Sequence, residues 1–375
     1  MANACKVLSV IGTRPEAIKL FPLIQALSTD RRFVSRVCTS GQHGTLLRPV
    51  LDMAGVRPDH TLPVHEAGKG LDGLFSAVLD GVGRVLDTER PDWMVVQGDT
   101  TTALAGALAA YHRRIPVLHV EAGLRSGDLE SPWPEEGNRK MIAGIATLHC
   151  APTESAAAAL RDERIATDTI HVTGNTGIDA LHWVLRRAER QPDLTAGLDA
   201  LFDRLQGRRI VGLTAHRRES HGHGLHDIAD AAQQLAKRGD VAIICPVHPN
   251  PQVRTTLFQR LSGQPNIVLT EPLAYPQFAR LLSRACLLLT DSGGVQEEAP
   301  SLGKPVLVLR DTTERPEAVA AGTAKLVGTS PGRIVAETAQ LLDDPESYQA
   351  MARAHNPFGD GQASARIVEA LASAV

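Results

Sequence analysis

The sequence predicts an α/β protein made of two doubly wound, Rossmann-like domains facing a central cleft. Three observations carry that prediction. Short continuous apolar runs alternate with longer Ala/Leu-rich segments along the chain. Apolar runs bounded by loops suit parallel strands covered on both faces, and the alternation marks βαβ units. The alternation comes in two sets, and 375 residues give room for two or three domains at roughly 150 residues each.

In the first set, KVLSVIG, FVSRVCTS, WMVVQGD, IPVLHVEAG and TLHCAPTE read as strands. PEAIKLFPLIQALST and TTALAGALAAYHRR read as helices between them. A second series begins near residue 208 with RRIVGLTAH, VAIICPVHP, NIVLTEP, CLLLTDSGG and PVLVLRD. The seam is expected near 170–200, where HVTGNTGIDAL leaves a strand for a loop and RRAERQPDLTAG is polar and helix-breaking. The domains are therefore set at 1–175 and 176–359, with a terminal helix over about 360–375 docked on the first.

Composition removes several functions. The charge balance is 39 basic against 42 acidic residues, a net −3, without the basic excess of a nucleic-acid binder. Seven Phe, three Trp and three Tyr are too few for a base-stacking platform. No apolar run reaches the ~20 residues of a membrane span. MANACKVLSVIG lacks a basic n-region and reads as a first strand rather than a signal peptide. Cys5, Cys38, Cys150, Cys245 and Cys286 are widely spaced without a CxxC, so free, mostly buried thiols in a reducing cytoplasm are expected. No metal or cofactor is expected. No GxGxxG directly follows any of these strands and no GxxxxGK[ST] occurs, so neither a standard dinucleotide fingerprint nor a P-loop supports nicotinamide or ATP.

Functional side chains follow the strands directly. GTRPEAIK places Arg14 and Lys19 near a helix start, a favoured place for phosphate. DSGGVQEEAP opens a helix on Gly293 and Gly294, whose N–H groups and Ser292 can hold a diphosphate. Glu297 and Glu298 fall in its first turn, and one of them is free to reach ribose hydroxyls instead. Asp99 in GDTTT and Glu121 in VEAGLRSGD sit at strand ends, and SPWPEEGNR adds Glu135 and Glu136 in a Pro-rich loop that cannot be regular helix. Crowded carboxylates suit acid/base work, because one can stay protonated while another acts as base. Glu136 is set aside as a surface or packing charge. Asp99 can instead cap the next helix, and Glu121 can pair with Arg125.

In LTAHRRESHGHGLH, only His223 and His226 have helical spacing, and Gly222 and Gly224 make a flexible loop, so the four histidines do not read as a zinc site. His216 is the strand-end member, suited to a phosphate or substrate, and His248 in VHPNP is another. Arg310 and Arg315 follow PVLVL, with Arg315 at a helix start where it can meet a phosphate. Phe278 can stack on a base or fill the core. Together these residues describe a nucleotide-sugar enzyme, for which epimerase, hydrolase and glycosyltransferase all fit.

GTRPEAIK, QGDTTT, HVEAGLRSGD, SPWPEEGNR, APTE, TAHRRES, HPNP and LLTDSGGVQEEAPSLGKPVLVLRDTTERPEAV together resemble the non-hydrolysing bacterial UDP-N-acetylglucosamine 2-epimerases, from the first strand to about residue 330. The resemblance implies a GT-B-like fold and a homodimeric, cytoplasmic isomerase that supplies cell-surface polysaccharide synthesis. Its reaction converts UDP-N-acetylglucosamine reversibly to UDP-N-acetylmannosamine, by anti elimination of UDP to 2-acetamidoglucal and re-addition. By motif match, Asp99, Glu121, Glu135 and His216 are the catalytic set. Arg14, Lys19, His248, Ser292, Gly293, Gly294 and Arg315 then serve the diphosphate, Glu298 the ribose and Phe278 the uracil. Alternatives are a UDP-diacetamido-glucuronate 2-epimerase and a hydrolysing UDP-N-acetylglucosamine 2-epimerase.

Two positions depart from the pattern. Where the family reads close to QHREML, and several members bind a second substrate molecule as activator, this chain reads QHGTLL. Gln42 and His43 match this allosteric segment, but Gly44 and Thr45 replace longer polar side chains. Gly177 in NTGIDAL stands where the family has a larger residue, which suggests a looser hinge. Because Gly44 and Thr45 lack those longer side chains, activation by substrate is expected to be weak or absent. Initial rates against UDP-N-acetylglucosamine should be hyperbolic, and the reverse reaction should start without added substrate. Pronounced sigmoidicity contradicts this.

Overall fold

The computed structural model describes residues 4–42, 44–64, 70–217 and 222–375. The chain divides into two compact units, Met1–Ala180 with Phe358–Val375, and Leu181–Pro357. Strands of the first unit are β1 (Cys5–Ile11), β2 (Phe33–Thr39), β3 (His60–Thr61), β4 (Trp93–Gln97), β5 (Val117–Val120), β6 (Leu148–Ala151) and β7 (Ile170–Val172). They form one parallel sheet in the order β3-β2-β1-β4-β5-β6-β7. The second unit contributes β8 (Arg209–Thr214), β9 (Val241–Pro246), β10 (Ile267–Thr270), β11 (Leu287–Thr290), β12 (Val306–Val308) and β13 (Ala324–Leu326). Its parallel order is β10-β9-β8-β11-β12-β13. Both sheets are doubly wound α/β, as the sequence predicts.

In each sheet the chain order reverses beside the first strand. The connections leaving β1 and β4 therefore diverge, as do those leaving β8 and β11. Such switch points open a crevice at the carboxyl ends of the strands, where ligands of these sheets bind. The loops carrying Arg14 and Asp99 meet the first requirement, and those carrying His216 and Ser292 meet the second.

Burial follows the apolar runs. Val7, Leu8, Val10 and Ile11 of β1 have no exposed surface, and neither do Val211 and Leu213 of β8. The helix Thr101–Tyr111 is apolar on nearly all sides because it lies buried against the sheet. Gly106 lets it approach, since a Cβ there would stand 3.0 Å from Val10 Cγ1 and 3.2 Å from Met94 Cε. The terminal helix Ala363–Ala374 packs on Arg14–Thr29 in the first unit. Its first N–H groups are taken by the buried Asp179 carboxylate, at 3.1 Å from Ala363 and 2.8 Å from Ser364.

Several local expectations are corrected. Glu135 begins a regular helix, Glu135–Ala143, because both prolines precede it and Pro134 takes the N-cap position. His223 and His226 lie on the helix His223–Leu235 rather than in a loop, since Gly222 alone supplies the turn before it, at φ 77°. His171 and Val172 end β7, and the loop runs only over 173–175 before the helix Thr176–Arg190 continues to the polar stretch. Glu297 and Glu298 end the 6-residue helix Gly293–Glu298 instead of filling its first turn. Among the described residues no helix is long and apolar enough to cross a membrane. All five thiols are free, and Cys286 is the one not fully buried. Burial pushes them up to about 11 or 12, which leaves no thiolate nucleophile at neutral pH.

The turn after β5 depends on one glycine. Gly123 has φ 89°, and a Cβ there would stand 2.2 Å from the Ala156 carbonyl oxygen. Gly123→Ala should therefore destabilise the first unit by at least about 2 kcal/mol, from backbone strain and clash together. Thermal unfolding measures this, and an unchanged midpoint contradicts it.

Candidate active site

Glu121, Asp99 and Glu136 lie around the β4 and β5 ends, Glu121 held by Lys19 and the other two by Arg139. Glu121 follows β5 directly, with φ 62°. A side chain held in that left-handed region stores strain of about 1–3 kcal/mol, which clusters at functional sites. Its Oε2 accepts Lys19 Nζ and, at 3.0 Å, Gln97 Nε2. The predicted alternative partner, Arg125, is bound to Glu163 instead. Lys19 thus meets a carboxylate across the sheet edge.

Asp99 follows β4, and its Oδ2 accepts Arg139 Nε at 2.8 Å and lies 2.7 Å from Arg139 Nη2. Its carbonyl accepts Asn138 Nδ2 at 2.7 Å. Thr100, not Asp99, caps the helix Thr101–Tyr111. Arg139 also donates to Glu136 at 3.0 Å. Glu136 is fully buried, so of the surface and packing readings the packing one holds. Burial disfavours its charge, but the Ser126 N–H, Arg139 and the Gly127 N–H outweigh this and hold the group below the usual carboxylate range. Glu135, one residue earlier, is half-buried and has no hydrogen bond or ion pair with any described residue. Its carboxylate is unspent.

Two buried groups stitch these loops from below. His119 Nε2 donates to the Gly98 carbonyl at 2.7 Å, while the Gly98 N–H returns to the Val120 carbonyl at 2.9 Å. Glu16 accepts the Thr13 N–H at 2.6 Å and completes a capping box at the start of Arg14–Thr29. Burial pushes Glu16 up to about 7. Gln42 accepts the Thr102 hydroxyl at 2.7 Å, and His43 lies outside the described residues, as do Arg218 and His221. The Gly177 N–H donates to Asn175 Oδ1 at 2.8 Å in an ordinary helix start.

In the second unit the organising group is Asp291. It is fully buried at the end of β11, and Oδ2 accepts the His216 N–H at 2.7 Å and the Arg217 N–H at 2.8 Å. Oδ1 lies 3.0 Å from His216 Nδ1. Burial opposes its charge, and His216 with the two N–H groups outweighs that, so Asp291 stays below its usual range. Held at Nδ1, the imidazole presents Nε2 outward. The His248 ring stacks on it at 5.2 Å and 20°. His248 is fixed in turn by the Asn250 N–H, 3.2 Å from Nδ1.

Arginines surround the start of Gly293–Glu298. A Cβ on Gly293 would stand 3.6 Å from Arg315 Nη2 and 3.8 Å from Arg217 Nη2. Arg315 donates to the buried Glu297, and Arg310 Nη2 lies 3.6 Å from Glu314. Ser292 sits at the N-cap position, and its N–H donates to the Thr290 hydroxyl at 3.0 Å. Glu298 faces Tyr275, whose phenol is held well above its usual range by burial and then by that charge. Tyr275 and the half-buried Phe278 lie one helical turn apart on Tyr275–Arg284. Among the described residues no cluster of His, Cys, Asp or Glu suits a metal ion.

Residues 25–372 match the model of the UDP-N-acetylglucosamine 2-epimerase family. The UDP-N-acetylglucosamine 2-epimerase of Escherichia coli strain K12 is 50% identical, with 98% of each chain covered. The chain belongs to the UDP-N-acetylglucosamine 2-epimerase family. The crystal structure of the Neisseria meningitidis family member bound to UDP-GlcNAc has a TM-score of 0.90 at 44% identity, covering 98% of this chain and all of that one. A Methanocaldococcus jannaschii member in complex with UDP-GlcNAc and UDP has a TM-score of 0.80 at 35% identity, covering 98% and 99%.

Sequence reasoning did not single out Gln97, Asn138, Arg139, Glu16, His119 or Tyr275 in this family member. Two spacings were readable signals, Glu136–Arg139, three apart, and Thr13-x-x-Glu16, the capping-box pattern.

His119 makes one prediction about stability. Burial pushes its imidazole down to about 3, against about 6.5 in an unfolded chain. The unfolded state therefore takes up a proton between those values that the folded state does not. Stability from this group is complete above pH ~6.5 and is lost as pH falls towards 3, by at most about 1.4 kcal/mol per pH unit. His119→Gln keeps a donor for Gly98 and should flatten the fall in stability between pH 6.5 and 4. Parallel curves for parent and variant contradict this.

Proposed function

We propose that this chain interconverts UDP-N-acetylglucosamine and UDP-N-acetylmannosamine by eliminating and re-adding UDP. The observation that carries the proposal is the pair of cation-held carboxylates, Asp99 at the switch point of the first sheet and Glu121 at the end of the next strand. Its support is full-length similarity to family members whose structures hold UDP-GlcNAc.

The C2 proton of the sugar has no adjacent ring carbonyl, so simple deprotonation is slow. Elimination avoids that difficulty. A base takes the C2 proton, the C1–O bond to UDP breaks, and a C1=C2 double bond forms. Re-addition delivers a proton to the other face of C2 as the UDP oxygen rejoins C1. The cycle is redox-neutral and needs no cofactor.

Two protein groups must therefore address opposite faces of C2. Glu121 or Asp99 serves one face, each fixed by its cation, and Glu135, with its unspent carboxylate, serves the other. Preorganised cations stabilise the charge that develops on the departing diphosphate. Arg14, His216 with its ring set by Asp291, Ser292, Gly293, Gly294 and Arg315 supply that function. His248 steadies His216 by stacking. Lys19 orients Glu121 and, with Arg14, serves the diphosphate. Glu298 takes the ribose and Phe278 the uracil. The working form is a cytoplasmic homodimer serving cell-surface polysaccharide synthesis, in line with the motif resemblance.

Incubation with UDP-N-acetylglucosamine in deuterated water should place deuterium at C2 with the UDP-sugar retained. Free sugar with UDP indicates a hydrolase, and no incorporation at C2 rules out the proposal. Glu121→Gln and Glu135→Gln should each lose about 10³ or more in kcat, the scale of a positioned acid or base. UDP affinity by calorimetry should change little. Loss of affinity in step with rate makes these residues structural.

A further inference from the structure

Glu16 sits inside GTRPEAIK yet has no part in the chemistry above. It is buried, with 1% of its surface exposed. Oε2 accepts the Gly12 N–H at 3.2 Å and the Thr13 N–H at 2.6 Å. Oε1 accepts the Thr100 hydroxyl at 2.9 Å. The Thr100 oxygen is itself occupied by the Ala103 N–H at 3.0 Å, which leaves its proton for Glu16. A capping box asks only for the bond to the N-cap N–H. The bond to Thr100 is an addition, and it comes from a different loop.

One carboxylate thus ties the connection after β1, which carries Arg14, to the connection after β4, which carries Asp99. The same two connections meet again nearby, where a Cβ on Gly12 would stand 2.2 Å from Thr102 Oγ1. Thr102 Oγ1 lies 2.9 Å from Ser40 Oγ and donates to Gln42. Both loops therefore have a fixed separation, set by groups that lie beneath the reacting residues. Thr13 and Thr100 each start a helix, and both helix starts favour negative charge on Glu16.

We propose that Glu16 is a positioning residue that sets the separation of the Arg14 and Asp99 loops and, through Thr100, holds the Asp99 carboxylate at the substrate. The inference rests on the epimerase function proposed above. Small displacements of an acid or base cost rate before they cost binding.

The test is a double-mutant cycle of Glu16→Gln and Thr100→Val, with Thr100→Ser as the conservative variant, assayed by epimerisation of UDP-N-acetylglucosamine at pH 8. Gln at 16 keeps an acceptor for the two N–H groups, so the capping survives, while its amide nitrogen cannot accept the Thr100 hydroxyl and the charge-assisted bond between the loops is lost. Each single variant should lose about tenfold in kcat, with KM within about threefold. The double variant should match the singles rather than their product, and Thr100→Ser should regain most of the rate. Circular dichroism and the unfolding midpoint confirm folded protein for Glu16→Gln and Thr100→Ser, so a loss of fold in Thr100→Val does not decide the matter. An active parent with kcat of Glu16→Gln within twofold overturns this inference alone, as do multiplicative losses. A folded parent that does not epimerise overturns both this inference and the proposed function.

Discussion

The carboxylates at the ends of β4 and β5 are anions brought together on adjacent parallel strands, and everything around them answers that crowding. Lys19 reaches from the Arg14–Thr29 helix to Glu121, and Arg139 reaches from the Glu135–Ala143 helix to Asp99. Those cations fix the orientation of each carboxylate through charge-assisted hydrogen bonds. The pairing also explains otherwise unfavourable local geometry. Glu121 tolerates a positive φ because Lys19, Gln97 and the close-fitting Gly123 turn together determine its place. Glu136, buried beside Arg139, completes the second ion pair and anchors the 126–127 backbone.

The second unit solves a different problem with the same means. The groups around its switch point are cations and backbone N–H groups, and Asp291 is the buried anion that arranges His216 and Arg217 among them. Glu297 and Glu314 do the same for Arg315, Arg310 and Arg217. Each arginine is therefore oriented before any diphosphate arrives, which is the condition under which charge stabilisation acts at the moment of reaction.

How much of this was legible in the sequence depends on range. All ten apolar runs named as strands became strands, because a strand covered on both faces leaves a continuous apolar signature. β3 and β13 did not stand out, since HT and AKL carry no continuous apolar run. The strand-end location of Asp99, Glu121, His216 and Ser292 was readable for the same topological reason. Their partners were not. Arg139 is 40 residues from Asp99 and Lys19 is 102 from Glu121, so only the folded sheet brings them together. The misplacement of Glu135 in a loop came from weighing Pro132 and Pro134 as helix breakers, when proline before a first turn admits a helix. Glu16 was hidden because its partner Thr100 belongs to the next motif along the sheet.

At the centre of the account, a nucleoside diphosphate leaves C1 while oriented acids move the proton at C2. Positional isotope exchange addresses this bond directly. UDP-N-acetylglucosamine carrying an oxygen-18 label in the bridge between C1 and the β-phosphorus is incubated with the enzyme and recovered before equilibrium. The account predicts that label spreads from the bridge to the non-bridging β-phosphate oxygens, because released UDP can rotate before it returns. Epimerised product and recovered substrate that keep all label in the bridge would contradict it, since C2 would then have inverted with the C1–O bond intact.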